Sequence, residues 1–407
     1  YLNKLVEYNQ QAWSSLTPIR KIPSSVPFMT MFGVGLGYQL GYLYEQCRIG
    51  NLFLFEPDLD VFYASLFCFD WYELLDYLNH EGLGLHLFLG QDEKKIMNDL
   101  IFALHKRGAF LANNGLFCLH YPSEKILKLI EQVKREFYLL VMGWGFYDDN
   151  ILALSHCATN LQMKVPFLLK DKMIDQCWQN TPVFVLANGP SLDDSLDTIC
   201  RHKGNAILIS CGSTISALHN AGIKPDIHVE TERTKSVPDF LGLINDADYL
   251  KDILFLSTDI IHPNCMNFFE RSGVCFKFDE PGSLLCSLFF PDVQQRAHLT
   301  GTNPIVANIG LKLACALGFK EVYLFGVDNG YKNRKHHHSK LSAYFNEQGE
   351  HVEKLTDIVI GSAEHAYSVP GNFGGEIITN AMFDTSRRTL ELTISDYPDV
   401  YVYNCSD

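Results

Sequence analysis

The sequence predicts an α/β protein built from two Rossmann-like domains with mostly parallel sheets. Three observations carry this reading. Strand-length apolar runs alternate with amphipathic helical stretches, the pattern of a parallel sheet covered on both faces. The alternation weakens after Trp144 and restarts after Pro182. At 407 residues the chain also exceeds the roughly 250–300 residues that one hydrophobic core serves.

In the first array "VPFMTMFG", "NLFLFEPD", "GLHLFLG" and "EFYLLVMG" read as strands, and residues 36–47 and 92–106 have helical spacing. A mostly helical linker follows, which sets expected domains of 1–178 and 179–407. The second array reads as strands at "VFVLAN", "NAILIS", "PDIHVE", "DILFLS", "GVCFKF" and "EVYLFGVD", with helices over 214–220 and 302–317. "HAYSVPGNFGGEIITN" reads as a mobile loop feeding a helix that starts near Glu376.

An apolar fraction of 47% and a charged fraction of 20% exclude a disordered chain. Apolar runs such as "LFLF" fall far short of the roughly 18 residues that cross a bilayer, so no membrane span is expected. A net charge of −14 argues against a general nucleic-acid binder, which needs a basic face. The twelve cysteines are scattered and form no C-x-x-C pair, which favours reduced thiols and a cytoplasmic location. Because the chain opens mid-pattern at "YLNKLVEYNQQAW", a longer protein is expected.

Two glycine-bearing turns draw attention. Gly33, Gly35 and Gly37 follow a strand and open a helix, with Glu56 at the end of the next strand. This is the layout of a second nucleoside pocket, with the acid on ribose hydroxyls, and equally of a tight packed turn. In "PVFVLANGPSLDD" a strand runs into Asn188, Gly189, Pro190 and Ser191 before a helix whose start Ser191 can cap. Backbone N–H groups there suit a phosphate, although Asp193 and Asp194 in the first turn oppose an anion.

Further strand ends carry polar tips: Ser210, Gly212 and Ser213; then Glu230, Thr231 and Glu232; then Gly326 and Asp328. Open α/β sheets place ligands at such carboxyl ends. Gly301, Thr302 and Asn303 stand at another helix start.

The fragments "ANGPSLD", "GIKPD", "GTN", "GFKEVYLFGVD", "GNFGG" and "YNCSD", with "GVGLGYQL", "FEPD" and "FDW" before them, together resemble the motility-associated factor (Maf) family of bacterial flagellin glycosyltransferases. The second domain is in turn similar to bacterial sialyltransferases that use CMP-sialic acid. The resemblance implies transfer of a nonulosonic acid, of pseudaminic or legionaminic type, from a CMP-sugar donor to Ser or Thr of flagellin, with no cofactor. It implies that Asn188 to Ser191, Ser210, Gly212, Ser213 and the Glu230 to Glu232 tip surround nucleotide and sugar. Gly301, Thr302 and Asn303 would touch base or ribose, and Tyr331 falls where those enzymes place phosphate-binding tyrosines. It also implies a further helical region after "YVYNCSD" that binds the acceptor.

His336, His337 and His338 lie in the polar stretch "YKNRKHHHSKLSAY", expected to be flexible. Histidine is the side chain poised near neutral pH to take a hydroxyl proton, which makes His337 and His338 catalytic candidates alongside a merely solvated loop. No carboxylate or cysteine completes a zinc set beside them, so no metal site is expected. Glu230 and Glu232 are candidates to stabilise oxocarbenium charge. "ANGPSLD" and "GIKPD" also resemble hydroxymethylpterin pyrophosphokinases, although "VETERT" offers glutamates where aspartates are expected. A flagellin-binding chaperone that keeps the fold without catalysis is the third reading.

Overall fold

The computed structural model describes residues 22–90, 96, 99–100, 103–104, 115–136, 147–278, 280–346 and 366–406. The chain divides into two compact units, Tyr1–Val141 and Met142–Asp407. The helical segment expected as linker lies in the second.

The first unit has a parallel four-stranded sheet of β1 (Phe28–Phe32), β2 (Asn51–Glu56), β3 (Gly84–Leu89) and β4 (Gly115–Leu119), in the order β3-β2-β1-β4. That is the strand order of a Rossmann half, reversing between β1 and β4. β1 is buried along its whole length, as a strand covered on both faces must be. α1 (Tyr38–Gln46), α2 (Leu59–Cys68), α3 (Trp71–Glu81) and α4 (Glu124–Glu136) accompany the sheet. β4 was not foreseen: its sequence "GLFCL" is short and opens on glycine, and the run at 136–143 drew the strand reading instead. Apart from Glu136, which ends α4, that run lies outside the described residues, as does most of the expected helix at 92–106.

The second unit begins with α5 (Tyr147–Gln162) and holds an eight-stranded parallel sheet. Its strands are β5 (Val183–Leu186), β6 (Ile207–Cys211), β7 (Ile227–Glu230), β8 (Leu254–Thr258), β9 (Arg271–Lys277), β10 (His298–Leu299), β11 (Glu321–Phe325) and, after a hairpin of β12 (Tyr367–Pro370) and β13 (Glu376–Thr379), β14 (Tyr401–Asn404). The order is β10-β9-β8-β7-β6-β5-β11-β14. It reverses between β5 and β11, and the loops leaving those two strands open a crevice there. The segment 365–380 was expected to be a mobile loop feeding a helix that starts near Glu376. It makes the β12–β13 hairpin instead, because Gly374 (φ 98) and Gly375 (φ 78) supply the left-handed turn.

The helices α6 (Leu192–His202), α7 (Thr214–Asn220), α8 (Ser236–Leu243), α9 (Pro281–Phe289), α10 (Val306–Leu317) and α11 (Ala381–Asp396) accompany the sheet, and the starts of α10 and α11 line the crevice. α10 is apolar nearly all round and buried over most of its length, the signature of a core helix. Gly310 lets it approach the sheet: a Cβ there would lie 2.5 Å from Cys211 Sγ. Asn308 fixes α10 to α11, its amide donating to the Ser386 carbonyl at 2.9 Å while its oxygen accepts from the Ser386 hydroxyl at 3.0 Å. α10 starts at Val306 rather than at 302, since Pro304 and the extended Ile305 precede it.

Candidate functional site

At the point where the strand order reverses, the loops after β5, β6 and β11 enclose a cavity of about 160 Å³. The backbone builds it. Ala187 N–H donates to Phe325 O at 2.8 Å and Gly189 N–H to Gly326 O at 2.9 Å, which continues the β5–β11 pairing past the strands. A Cβ on Gly189 would lie 1.8 Å from Asp328 Oδ2, so the turn closes on that carboxylate only because residue 189 is glycine. Asp328 in return accepts from Ser191 N–H at 3.2 Å. An acid of this chain therefore already occupies an N–H of the turn expected to receive phosphate. Ser191 does not cap α6 with its side chain.

Asn188, Gly189, Gly212, Ser213, Gly326, Asp328, His337 and His338 line the cavity together, as the sequence brought them forward. Asn188 is 7% exposed; its amide donates to Ser213 Oγ at 2.9 Å while its Oδ1 is buried with no hydrogen-bond partner. A buried acceptor left unpaired costs about 1–3 kcal/mol, so it marks a place where a ligand donor fits. The opposite wall was not foreseen. Ile305, Val306, Met382 and Phe383 form it, the last two in the first turn of α11, where Asn380 accepts from Phe383 N–H at 3.0 Å. The Asn cap before an apolar pair was the available signal.

Several expected residues sit elsewhere. Gly301, Thr302 and Asn303 lie outside the cavity's lining. Ser210 is wholly buried beside His228, 3.3 Å from its Nδ1. Tyr331 is buried, and its backbone exchanges hydrogen bonds with Ile378 at 2.9 and 2.8 Å. Thr231 is buried too. Glu230 and Glu232 line a second cavity of about 410 Å³, which shares Gly212, Ser213 and Val306 with the first.

The histidine segment is not a solvated loop. Asp193 accepts from the Ser339 hydroxyl and from Lys340 N–H at 3.1 Å, and lies 3.2 Å from His336 Nε2. Ser339 N–H donates to Asn188 O at 3.0 Å, and the Asn220 amide to Leu341 O at 2.7 Å. His337 is 3% exposed, and its Nδ1 is 3.1 Å from the Arg334 carbonyl. A carbonyl only accepts, so Nδ1 carries a proton, and in the neutral ring the lone pair is on Nε2. Burial pushes the His338 imidazole down to about 3, which keeps it neutral, and its Nδ1 has no partner. The His338 ring packs 4.3 Å from Tyr344, ring centroid to ring centroid.

The first unit's glycine turn is packed rather than open. Glu56 is fully buried and accepts from Val34 N–H at 2.9 Å, Asp58 N–H at 3.0 Å and the Tyr121 hydroxyl at 2.8 Å. Added Cβ atoms on Gly33, Gly35 and Gly37 would lie within 2.8 Å of Tyr121, His120 and Phe69. Both glycines and acid have structural partners here, as the packed-turn reading requires.

Comparison with known proteins adds three facts. Residues 1–142 match the Maf glycosyltransferase N-terminal domain, ending where the first unit ends. Residues 155–334 match the family described as 6-hydroxymethylpterin diphosphokinase MptE-like. A Maf glycosyltransferase structure from Magnetospirillum magneticum AMB-1 superposes with a TM-score of 0.64 at 25% identity, covering 100% of this chain and 59% of that one. No curated protein sequence matches, and no described helix is long and apolar enough to cross a membrane. The chain is thus similar to the Maf glycosyltransferases: it matches their N-terminal domain over residues 1–142, an MptE-like domain over 155–334, and the fold of a Maf structure along its whole length, while spanning 59% of that structure's chain.

Proposed function

We propose that the chain transfers a nonulosonic acid, of pseudaminic or legionaminic type, from a CMP donor to a Ser or Thr hydroxyl of flagellin in the cytoplasm, without a cofactor. The observation that carries this reading is the crevice at the sheet's reversal point, whose lining combines Asn188, with its unpaired Oδ1, and the apolar Ile305, Val306, Met382 and Phe383. A flat base with an exocyclic amine suits that pairing.

In the proposed step the acceptor oxygen attacks the anomeric carbon, and the bond from that carbon to the CMP phosphate oxygen breaks. The electron pair leaves with CMP. His337 Nε2 takes the hydroxyl proton, and neutral His338 holds a ligand hydrogen bond. His337→Gln tests the assignment. Transfer to flagellin should fall about 100- to 10,000-fold while CMP affinity stays within about twofold. Unchanged transfer in the folded variant removes His337 from the chemistry.

The MptE-like match favours a second reading, transfer of diphosphate from ATP to a hydroxymethylpterin. Among the described residues neither cavity is lined by Lys or Arg. This suits a nucleoside monophosphate donor better than a triphosphate, whose charge calls for cations. ATP consumption that depends on the pterin would favour the second reading.

A further inference from the structure

The second cavity, of about 410 Å³, has two unlike walls. One presents Glu230 and Glu232 from the tip of β7, and the lining also includes Tyr344 and Ser213, the latter shared with the first cavity. The other presents Phe240, Leu241, Leu243 and Ile244 of α8 and the turn after it, and its rim is open to solvent: Phe240 is 38% and Leu243 73% exposed. Among the described residues no Lys or Arg lines it, and the lining residue His219 lies 3.1 Å from Asp246.

Glu230 is buried with His228 Nε2 3.6 Å from its Oε1, and Glu232 is exposed and accepts from Arg233 and Thr234 N–H; with no Lys or Arg among the described lining residues, the two carboxylates together repel an anion. The carboxylate of a donor sugar acid is therefore disfavoured in this cavity. An exposed apolar rim beside acids suits a chain segment that brings aliphatic side chains together with neutral or positive charge. The shared Ser213 puts that segment next to the nucleotide crevice.

Resting on the transfer reading above, we propose that this cavity is the acceptor subsite. It takes a Ser- or Thr-bearing peptide segment with aliphatic neighbours and rejects one flanked by acids. Glu232 and Phe240 are its specificity-determining residues: Glu232 sets the charge preference and Phe240 holds the aliphatic neighbours.

Fluorescence anisotropy on the full chain at saturating CMP tests this. The probes are two labelled synthetic peptides with the same serine and the same valine and leucine neighbours, one flanked by lysines and the other by aspartates. The lysine peptide should bind at least about tenfold more tightly. Glu232→Gln should narrow that gap, Phe240→Ala should weaken both peptides, and Leu243→Lys, at an exposed rim position, should reverse the preference. Calorimetry with CMP on the same variants should show unchanged affinity.

Equal binding of the two peptides, or a gap that neither Glu232→Gln nor Leu243→Lys alters, overturns the proposal. So does a Phe240→Ala variant that loses CMP-nonulosonate affinity while keeping the peptides, since the cavity would then hold the donor sugar. If the peptides behave as stated and CMP does not bind at all, the nucleotide reading fails while the acceptor subsite stands.

Discussion

Asn188 illustrates how one side chain is committed at one end and left open at the other: its amide donates to Ser213 Oγ while its Oδ1 has no protein donor, and the residue lines the crevice. Asn188→Ala should cost CMP about 1–3 kcal/mol of binding, read by calorimetry, and an unchanged affinity in a folded variant would remove the residue from the nucleotide site. Asp259 gives a pH test. Burial raises its carboxyl from 3.8 to about 6, so the folded chain binds the proton more tightly than the unfolded one. Stability from this group is therefore greatest below about pH 4 and declines as pH rises towards 6. In Asp259→Asn, urea unfolding should show a shallower decline across that window; an identical slope would contradict the assignment. At this scale the sequence was legible where chemistry is local. Asn188 and Gly189 stand out as an amide and a glycine after a strand, but the reason residue 189 must be glycine is Asp328, distant in sequence. Met382 and Phe383 read as ordinary apolar helix residues until α11 sets them against Val306.

Elements are held in place by ionic groups buried between them. Arg233, just past the β7 tip, makes a two-pronged pair with Glu280 at 3.0 and 3.2 Å and donates to Asp149 O at 3.0 Å, while Lys277 Nζ reaches the same Glu280 at 2.8 Å. All three charged side chains are nearly inaccessible. Glu280→Ala would leave two buried cations without their shared carboxylate, at a cost of about 3–5 kcal/mol, and thermal unfolding should show a correspondingly lower Tm. A Tm within a degree or so of the parent chain would mean the cluster is better solvated than its burial indicates. The histidine segment tests the same principle with a polar staple. Asp193→Ala removes the acceptor of Ser339 and Lys340, so amide exchange across 336–345 should speed up, measured by mass spectrometry; unaltered exchange would show that the other contacts suffice. The strands from "VFVLAN" to "EVYLFGVD" and the helix over 214–220 were legible from apolar runs and spacing. The buried histidine segment was not, since its composition is polar and its staple comes from the start of α6. β14 was also missed, because "YVYN" is an edge strand exposed along most of its length.

Over the whole molecule, the two sheets could be expected from alternation alone, but their strand orders could not, because register and neighbour choice depend on contacts far apart in sequence. Those orders matter most for function, since the reversal between β5 and β11 decides which loops meet. The first unit shows the converse: a glycine-rich turn with a following acid supported a nucleoside pocket in sequence, and the fold gives each of those groups a protein partner. The central claim concerns the second unit, and the most direct test is product formation. Purified chain is mixed with flagellin and a CMP-nonulosonate, and released CMP and the intact mass of flagellin are followed together. The expected result is CMP release in step with a mass gain of one nonulosonic acid residue, both lost in His337→Gln. CMP release with no change in flagellin mass, or ATP consumption with a pterin in place of CMP release, would contradict it.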